Sequence, residues 1–244
     1  MNNIQWIPFA NEFLEDYQKF SEYHYGLNAY QTKANYIKWL YDENPLSVDK
    51  NDFLIGINSD TENIVGCIHK MQINWSINNK IVSMPALHNL IVDEEHRHGT
   101  GFMLVMAAVS GEDQALMPGV EEPFSNFYKK LKYQKVNVYW FRKFLKPISA
   151  GILLLANKIT RKAREVNYLD PKRIGSLDGN FKVDFSPNKD LLEQITASLN
   201  ETDKDACAPF WTEEQIKWRF FHPIGPKHTL IYEQFQDRIK NFAI

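Results

Sequence analysis

Arg97-His98-Gly99-Thr100-Gly101 is the stretch whose residue types and spacing best suit chemistry. It follows an apolar, β-branched run, Leu87 to Val92, interrupted only by His88 and Asn89. After Gly101 the residues Phe102, Val105, Met106 and Val109 recur at helical spacing. A strand, a charged turn, a glycine pair and a helix are therefore predicted. Gly-x-Gly at the mouth of a helix lets main-chain N–H groups approach an anion with no Cβ in the way, and the helix start adds partial positive charge. Arg97 supplies a full charge at the same place. The chemistry implied is a phosphate or pyrophosphate cradle built from Arg97, His98, Gly99, Thr100, Gly101 and Phe102, with Val92 offering main-chain bonds at the strand end. The nucleotide-hydrolase loop is excluded, because Gly-Lys-Ser/Thr is absent. The dinucleotide fingerprint is also incomplete, since it needs three glycines and an acid about 20 residues on.

The same run resembles motif A of the GNAT acyl-CoA N-acyltransferases: a strand ending in Val, then Arg/Gln-x-x-Gly-x-Gly/Ala opening a helix. Arg97 leaves the spacing one residue short, whereas His96 restores it with a different side chain. A second stretch, Ser125-Asn126-Phe127-Tyr128-Lys129-Lys130-Leu131-Lys132-Tyr133, is similar to that family's Tyr-x-Lys-Leu-Gly-Phe/Tyr, with Lys132 where glycine is usual. The resemblance covers about Ile4 to Pro147. It implies that the loop amides hold a coenzyme A pyrophosphate, that acetyl-CoA or another acyl-CoA is co-substrate, and that Tyr128 donates to the departing thiolate. The wording around Leu116-Met117-Pro118-Gly119-Val120 and Tyr128 also looks like GNAT-type enzymes of bacterial surface-polysaccharide clusters, which acylate amino sugars.

Acyl transfer to an amine needs a base. His88 is the best candidate by residue type, because its ordinary pKa lies near neutrality; a core histidine is the competing reading. Strand alternation predicts that Asn89 faces the other way. Glu94 and Glu95 read as solvated turn acids, and Glu121 or Glu122 could bind a substrate amine. His96 and His98 lack a visible third ligand, so no metal is expected. Cys67 has no companion that would make it a nucleophile.

The elements that must position these residues follow from periodicity. Ile4 to Phe9 reads as a strand, Asn11 to Tyr25 as an amphipathic helix ended by Gly26, and Thr32 to Tyr41 as a second helix. Strands are predicted at Phe53 to Ile57 and Ile64 to Ile73, with a separate hairpin, Ile73 to Ile77 and Ile81 to Met84, turning at Asn78-Asn79. The central strand and glycine-helix follow, then Gln114 to Met117 as strand, Phe124 to Leu131 as helix and Val136 to Phe141 as strand. The fold class expected is α/β (α+β), a mostly antiparallel twisted sheet flanked by helices. Pro147 to Arg164 reads as a helix with a basic end, for which a membrane-surface role is the minor reading, and Asn167 to Gly179 as a linker.

Beyond the linker the pattern repeats. Ile216-Lys217-Trp218 matches Ile37-Lys38-Trp39, each with a proline and then a strand after it. Trp-Arg-Phe and His-Pro resemble the start of a second unit in double-GNAT enzymes, and Ile244 comes before any second cradle. Residues 1–147 are read as the acyl-CoA-binding domain, 148–180 as helix and linker, and 181–244 as a partial second unit. Two strands there, Thr229 to Phe235 and Ile239 to Ile244, are expected to need cover. Packing on the first domain is favoured over a homodimer through the C-terminal segment.

Composition sets outer limits. With 28 basic and 30 acidic residues the chain carries no field for nucleic acid. Two cysteines without a partner motif suit a reducing compartment. The start of the chain lacks a signal-peptide pattern, so a cytoplasmic protein with a small-molecule amine substrate and no membrane partner is expected. Two function classes stand at this point: an acyl-CoA-dependent N-acyltransferase, and a degenerate GNAT fold that binds without catalysis.

Overall fold

A computed structural model describes residues 3–27, 29–47, 52–120, 125–134, 181–201 and 207–244. The strand expected at Val136 to Phe141, the helix from Pro147, the linker, and Glu121 and Glu122 lie outside the described residues. The first unit begins with β1 (Ile4–Pro8), α1 (Leu14–Tyr25) and α2 (Ala34–Ile37), the last running into a π turn at Lys38–Asp42. Gly26, at φ 87°, ends α1 as the sequence predicts. Then come β2 (Phe53–Asn58), β3 (Ile64–Ile77), β4 (Lys80–Val92), α3 (Thr100–Ala108) and α4 (Ser125–Lys130). The strands form one antiparallel sheet in the order β1-β2-β3-β4.

Two sequence expectations merge here. The separate hairpin is the outer part of β3 and β4, which are continuous through Ile73 and Met84. The turn is the expected one, with Asn78 and Asn79 both at positive φ (50° and 60°). Pro85 broke the pattern in the sequence, because proline rarely sits inside a central strand. It is tolerated because its missing N–H falls on the side away from β3. There its carbonyl accepts from Leu116 N–H (2.8 Å) and nothing else is required.

Side chains alternate across this sheet and build two cores. On one face Tyr17 and Phe20 of α1, and Tyr36, Ile37 and Trp39, cover Phe53, Ile55 and Cys67. On the other, Leu104, Val105 and Ala108 of α3 cover Leu54, Ile68, Leu87 and Val92. At Gly66 the helix approaches closely: a Cβ there would meet Leu104 Cδ1 at 3.1 Å.

Residues 181–244 form β5 (Phe181–Asp184), α5 (Lys189–Asn200), β6 (Cys207–Pro209), α6 (Glu213–Phe221), β7 (Leu230–Phe235) and β8 (Arg238–Ala243). Asn188 caps α5, and Thr212 with Gln215 forms a capping box on α6. β5, β7 and β8 make a second sheet over a core of Leu191, Leu192, Ile195, Ile216 and Leu230. This segment meets the first unit at two places. β6 pairs with the end of β3, Trp75 opposite Pro209. The repeated tryptophans also meet each other. Trp39 and Trp218 stack with centroids 5.1 Å apart and rings 18° from parallel. Trp39 Nε1–H donates to the Trp218 carbonyl (3.0 Å) and Trp218 Nε1–H donates to the Trp39 carbonyl (2.7 Å). Such reciprocity is the signature of a two-fold contact, here made within one chain. Tyr30 also donates to the Ile224 carbonyl, and a Cβ on Gly225 would press on the Trp39 indole. No helix among the described residues is long and apolar enough to cross a membrane.

Trp218→Ala should cost about 3–5 kcal/mol, because it removes a buried ring and leaves the Trp39 carbonyl without its indole donor. Urea unfolding followed by circular dichroism measures this, and a loss below about 1 kcal/mol would show that the seam contributes little.

Candidate functional site

The site begins at an irregularity in β4. His69 pairs with His88 and Cys67 with Ile91, so two residues, Asn89 and Leu90, stand opposite Ile68. Asn89 takes the left-handed conformation, φ 52°. This is a β-bulge, and it shifts the alternation by one residue. Leu90 and Val92 therefore face α3, while Ile91 faces α1 and α2. The expectation that Asn89 points away from the His88 face is corrected here. Asn89 Nδ2–H donates to the Tyr36 hydroxyl (3.0 Å), on the side where His88 lies.

The bulge also ends pairing along the outer edge of β4. Leu116 bridges to the strand only at Ala86, through bonds to Pro85 and Leu87. No described residue continues that pairing. Asp93 N–H turns inward to the Val65 carbonyl (2.9 Å), so by register the N–H groups of Leu90 and Val92 point outward along an open edge.

At the end of this edge lies the glycine turn. Gly99 sits at φ 94°, and a Cβ there would meet nothing within 4 Å, so its backbone conformation alone requires glycine. Met103 N–H donates back to the Gly99 carbonyl (3.1 Å), which leaves Thr100, Gly101 and Phe102 N–H, among the described residues, as the unspent donors of the helix start. Gly101 rests on Leu90 and Val92: a Cβ would lie 3.9 Å from Leu90 Cδ2 and 3.8 Å from Val92 Cγ2. The helix mouth and the open edge are thus adjacent. Arg97 folds back, its Nε–H donating to the Val92 carbonyl (3.2 Å) and its guanidinium 3.6 Å from Glu94. His98 is exposed, and His96 lies close to Asn58. His24, in the last turn of α1, holds Asp93 at 2.8 Å and fixes the loop that leaves β4.

On the α1–α2 face a second histidine governs the surroundings of His88. His69 is completely buried. Tyr17 Oη meets its Nε2 at 3.1 Å and Tyr41 Oη its Nδ1 at 2.7 Å, while Phe53 stacks on the ring at 4.0 Å. Burial, with His88 as a secondary cause, drives the His69 pKa well below that of free histidine. His88 stacks beside it at 5.3 Å. Burial, and then the charge of Arg219, push its pKa down to about 4. His88 Nε2 is buried with no hydrogen-bond partner among the described residues. Cys67 is buried too, its thiol pushed up to about 12, and its Sγ–H points at the Asn89 carbonyl (3.7 Å). His69, Tyr17, Tyr41 and Tyr36 carry no local sequence signal. Only the pairing of His69 with His88 across two strands brings them to the site.

Tyr128 stands on α4, edge-on to Phe127 (4.8 Å) and Tyr133 (5.7 Å), with its pKa raised by burial. Phe127 in turn meets Phe102 at 6.1 Å, so α4 lies alongside the start of α3. Lys132 is left-handed, φ 65°, and Tyr133 N–H closes the helix on the Tyr128 carbonyl (3.0 Å). That conformation accounts for glycine being the usual residue there. Among the described residues no group of three His, Cys, Asp or Glu side chains stands ready for a metal ion.

The fold of this chain is similar to that of known structures. Yeast N-myristoyltransferase with bound myristoyl-CoA superposes on 99% of this chain with a TM-score of 0.54 at 13% identity. The fold is GNAT-like. The chain spans 57% of the length of that myristoyltransferase. An acetyltransferase of Trypanosoma brucei (13% identity, 58% of this chain and 99% of that one, TM-score 0.45) and glucosamine-6-phosphate N-acetyltransferase of Arabidopsis thaliana (10% identity, 58% and 98%, TM-score 0.45) are also similar in part. No family model matches the chain, and no curated protein matches it in sequence. Within the GNAT-like fold, the residues read from the sequence as a cradle stand together at the end of β4, and His88 stands on the opposite face of the sheet.

His69 and His88 are held neutral in the folded chain, with pKa values below the unfolded 6.5. The unfolded state then binds more protons on acidification, so their contribution to stability is complete above pH 6.5 and declines as pH falls below it. Urea midpoints should drop between pH 6.5 and about 5, and His69→Gln should flatten that slope. Equal slopes in both proteins would remove His69 from the account.

Proposed function

We propose that this chain is an N-acyltransferase that moves an acyl group from coenzyme A to a primary amine by direct transfer. The observation that carries the reading is the juxtaposition, in a GNAT-like fold, of three N–H donors at the start of α3 with an edge of β4, both unpaired among the described residues. Residues 1–147 act as the acyl-CoA-binding unit and residues 181–244 shape the acceptor side. Gly99, Thr100, Gly101 and Phe102 take the pyrophosphate, with Arg97 and His98 at its rim. The amide-like arm lies along Leu90 to Val92 as an added strand would. The pyrophosphate supplies the negative charge that the helix mouth favours. An anion fits there because neither Gly99 nor Gly101 carries a side chain that would fill the space.

His88 accepts a proton from the acceptor ammonium, and the neutral amine nitrogen then bonds to the acyl carbon as the carbon–sulfur bond breaks. Tyr128 donates its proton to the departing sulfur and regains one from the second N–H of the attacking nitrogen, while His88 releases its proton to solvent, so the products are an amide and a free thiol. A thiol is a good leaving group, its ordinary pKa being about 8.5, so modest help suffices. Burial keeps His88 in the unprotonated form, the one that can accept a proton. The acceptor amine belongs to an amino sugar or sugar nucleotide in this reading. Support for that narrower step comes from the Leu116 to Val120 and Tyr128 wording alone.

Gly101→Glu should abolish coenzyme A binding by calorimetry while the circular dichroism spectrum stays native, since the carboxylate would stand where the pyrophosphate is held. Wild-type affinity in that variant would remove the cradle. Tyr128→Phe should lower kcat about 10–100-fold with little change in KM, because the hydroxyl acts as the thiolate forms. The acid limb of kcat/KM should fall near pH 4, the value set by His88, and disappear in His88→Ala. A limb that persists in His88→Ala assigns the base elsewhere.

A further inference from the structure

The seam between the two units holds a cation that, among the described residues, has no ion-pair partner. Trp39 and Trp218 satisfy each other's indole N–H groups completely, so that pair offers nothing further. The next residue of α6, Arg219, lays its guanidinium 5.6 Å from the centre of the Trp39 ring. This stacking uses one face of the group and none of its N–H donors. Among the described residues Arg219 makes no ion pair and no hydrogen bond. It is half-buried, and its charge acts on Tyr36, His88 and His228, which carry no negative charge. The Tyr36 hydroxyl already accepts from Asn89, and His88 Nε2 is buried without a partner among the described residues.

A guanidinium drawn out of water without a counter-charge is costly, and its rigid fork matches the paired oxygens of a carboxylate or a phosphate. Resting on the proposed acyl transfer, we propose that Arg219 binds an anionic group, carboxylate or phosphate, carried by the amine acceptor. Among the described residues no carboxylate is paired with Arg219 to compete with the anion. His88 lies within the field of the same cation, so an acceptor held by Arg219 presents its amine on the face of the sheet where the proton is removed. The contribution of residues 181–244 to the site is therefore one specific charge, delivered by the second copy of the Ile-Lys-Trp pattern. The first copy has Leu40 at the matching position, which is buried in the core.

Two matched pairs of amines test this on the full chain by calorimetric titration: O-phosphoethanolamine against ethanolamine, and β-alanine against its amide. The wild type should prefer the anionic member of at least one pair by about tenfold or more, and the pair concerned names phosphate or carboxylate as the group. Arg219→Gln should bring that preference within about threefold, and Arg219→Lys should keep part of it. Arg219→Met, which retains the stem over Trp39, serves in the same way where Arg219→Gln fails to fold. No preference in either pair, or a preference that survives loss of the charge, overturns the proposal. Coenzyme A titrated into the same samples answers separately. If it does not bind while the Arg219-dependent preference is present, the acyltransferase reading fails and the anion site stands. If it binds and no preference exists, only the role of Arg219 falls.

Discussion

Two residues standing opposite one at Ile68 is the constraint from which the site follows. A regular β4 would keep bonding along its outer edge and would send its side chains out in strict alternation. With Asn89 inserted at positive φ, the strand turns away from Leu116 after Leu87, its outer N–H groups find no partner among the described residues, and the residues after the bulge swap faces. Leu90 and Val92 then form the floor on which Gly101 rests, so the same irregularity that opens the edge also seats the helix beside it. The bulge is held by its neighbours: Tyr36 accepts from the Asn89 side chain, and the Cys67 thiol approaches its carbonyl. A left-handed asparagine costs little when its polar groups are bonded locally.

Around this opening the two faces of the sheet divide the work. The α3 face is apolar up to the helix mouth and supplies main-chain donors. The α1–α2 face buries an aromatic and imidazole layer, Phe53, His69, Tyr17 and Tyr41, in which both nitrogens of His69 are satisfied. Satisfied polar groups in a dry interior hold their geometry, because any shift strands a donor or acceptor. His88 rests against that fixed layer.

Periodicity made most of the fold legible. The first strand, α1 with its Gly26 stop, the Asn78-Asn79 turn, the glycine-helix and the paired strands at the C-terminal end all carry local signals in turn chemistry or in hydrophobic spacing. The glycine turn that opens α3 was legible for the same reason, since Gly99 and Gly101 are a local pattern. What lay beyond local reading was relational. Pro85 concealed the continuity of β4, since only its tolerated edge position explains it. The bulge has no glycine to announce it, because asparagine takes the left-handed role. His69 has no motif at all and becomes a neighbour of His88 only through the register of two strands. The repeat of Ile-Lys-Trp was visible as a likeness, yet its purpose, two tryptophans bonding to each other, needed the third dimension.

The partners in that tryptophan exchange are 179 residues apart in sequence. Closing so long a loop must wait for both flanking elements, so the seam belongs to the late contacts of folding, as does the addition of β6 to β3. On the ribosome the first sheet can assemble while the Trp39 indole and the end of β3 still face water, exposing an aromatic surface and a strand edge until α6 emerges. Chaperone demand during synthesis should therefore centre on the interval between these two tryptophans, and truncation before Trp218 should favour association through that surface over a quiet monomer.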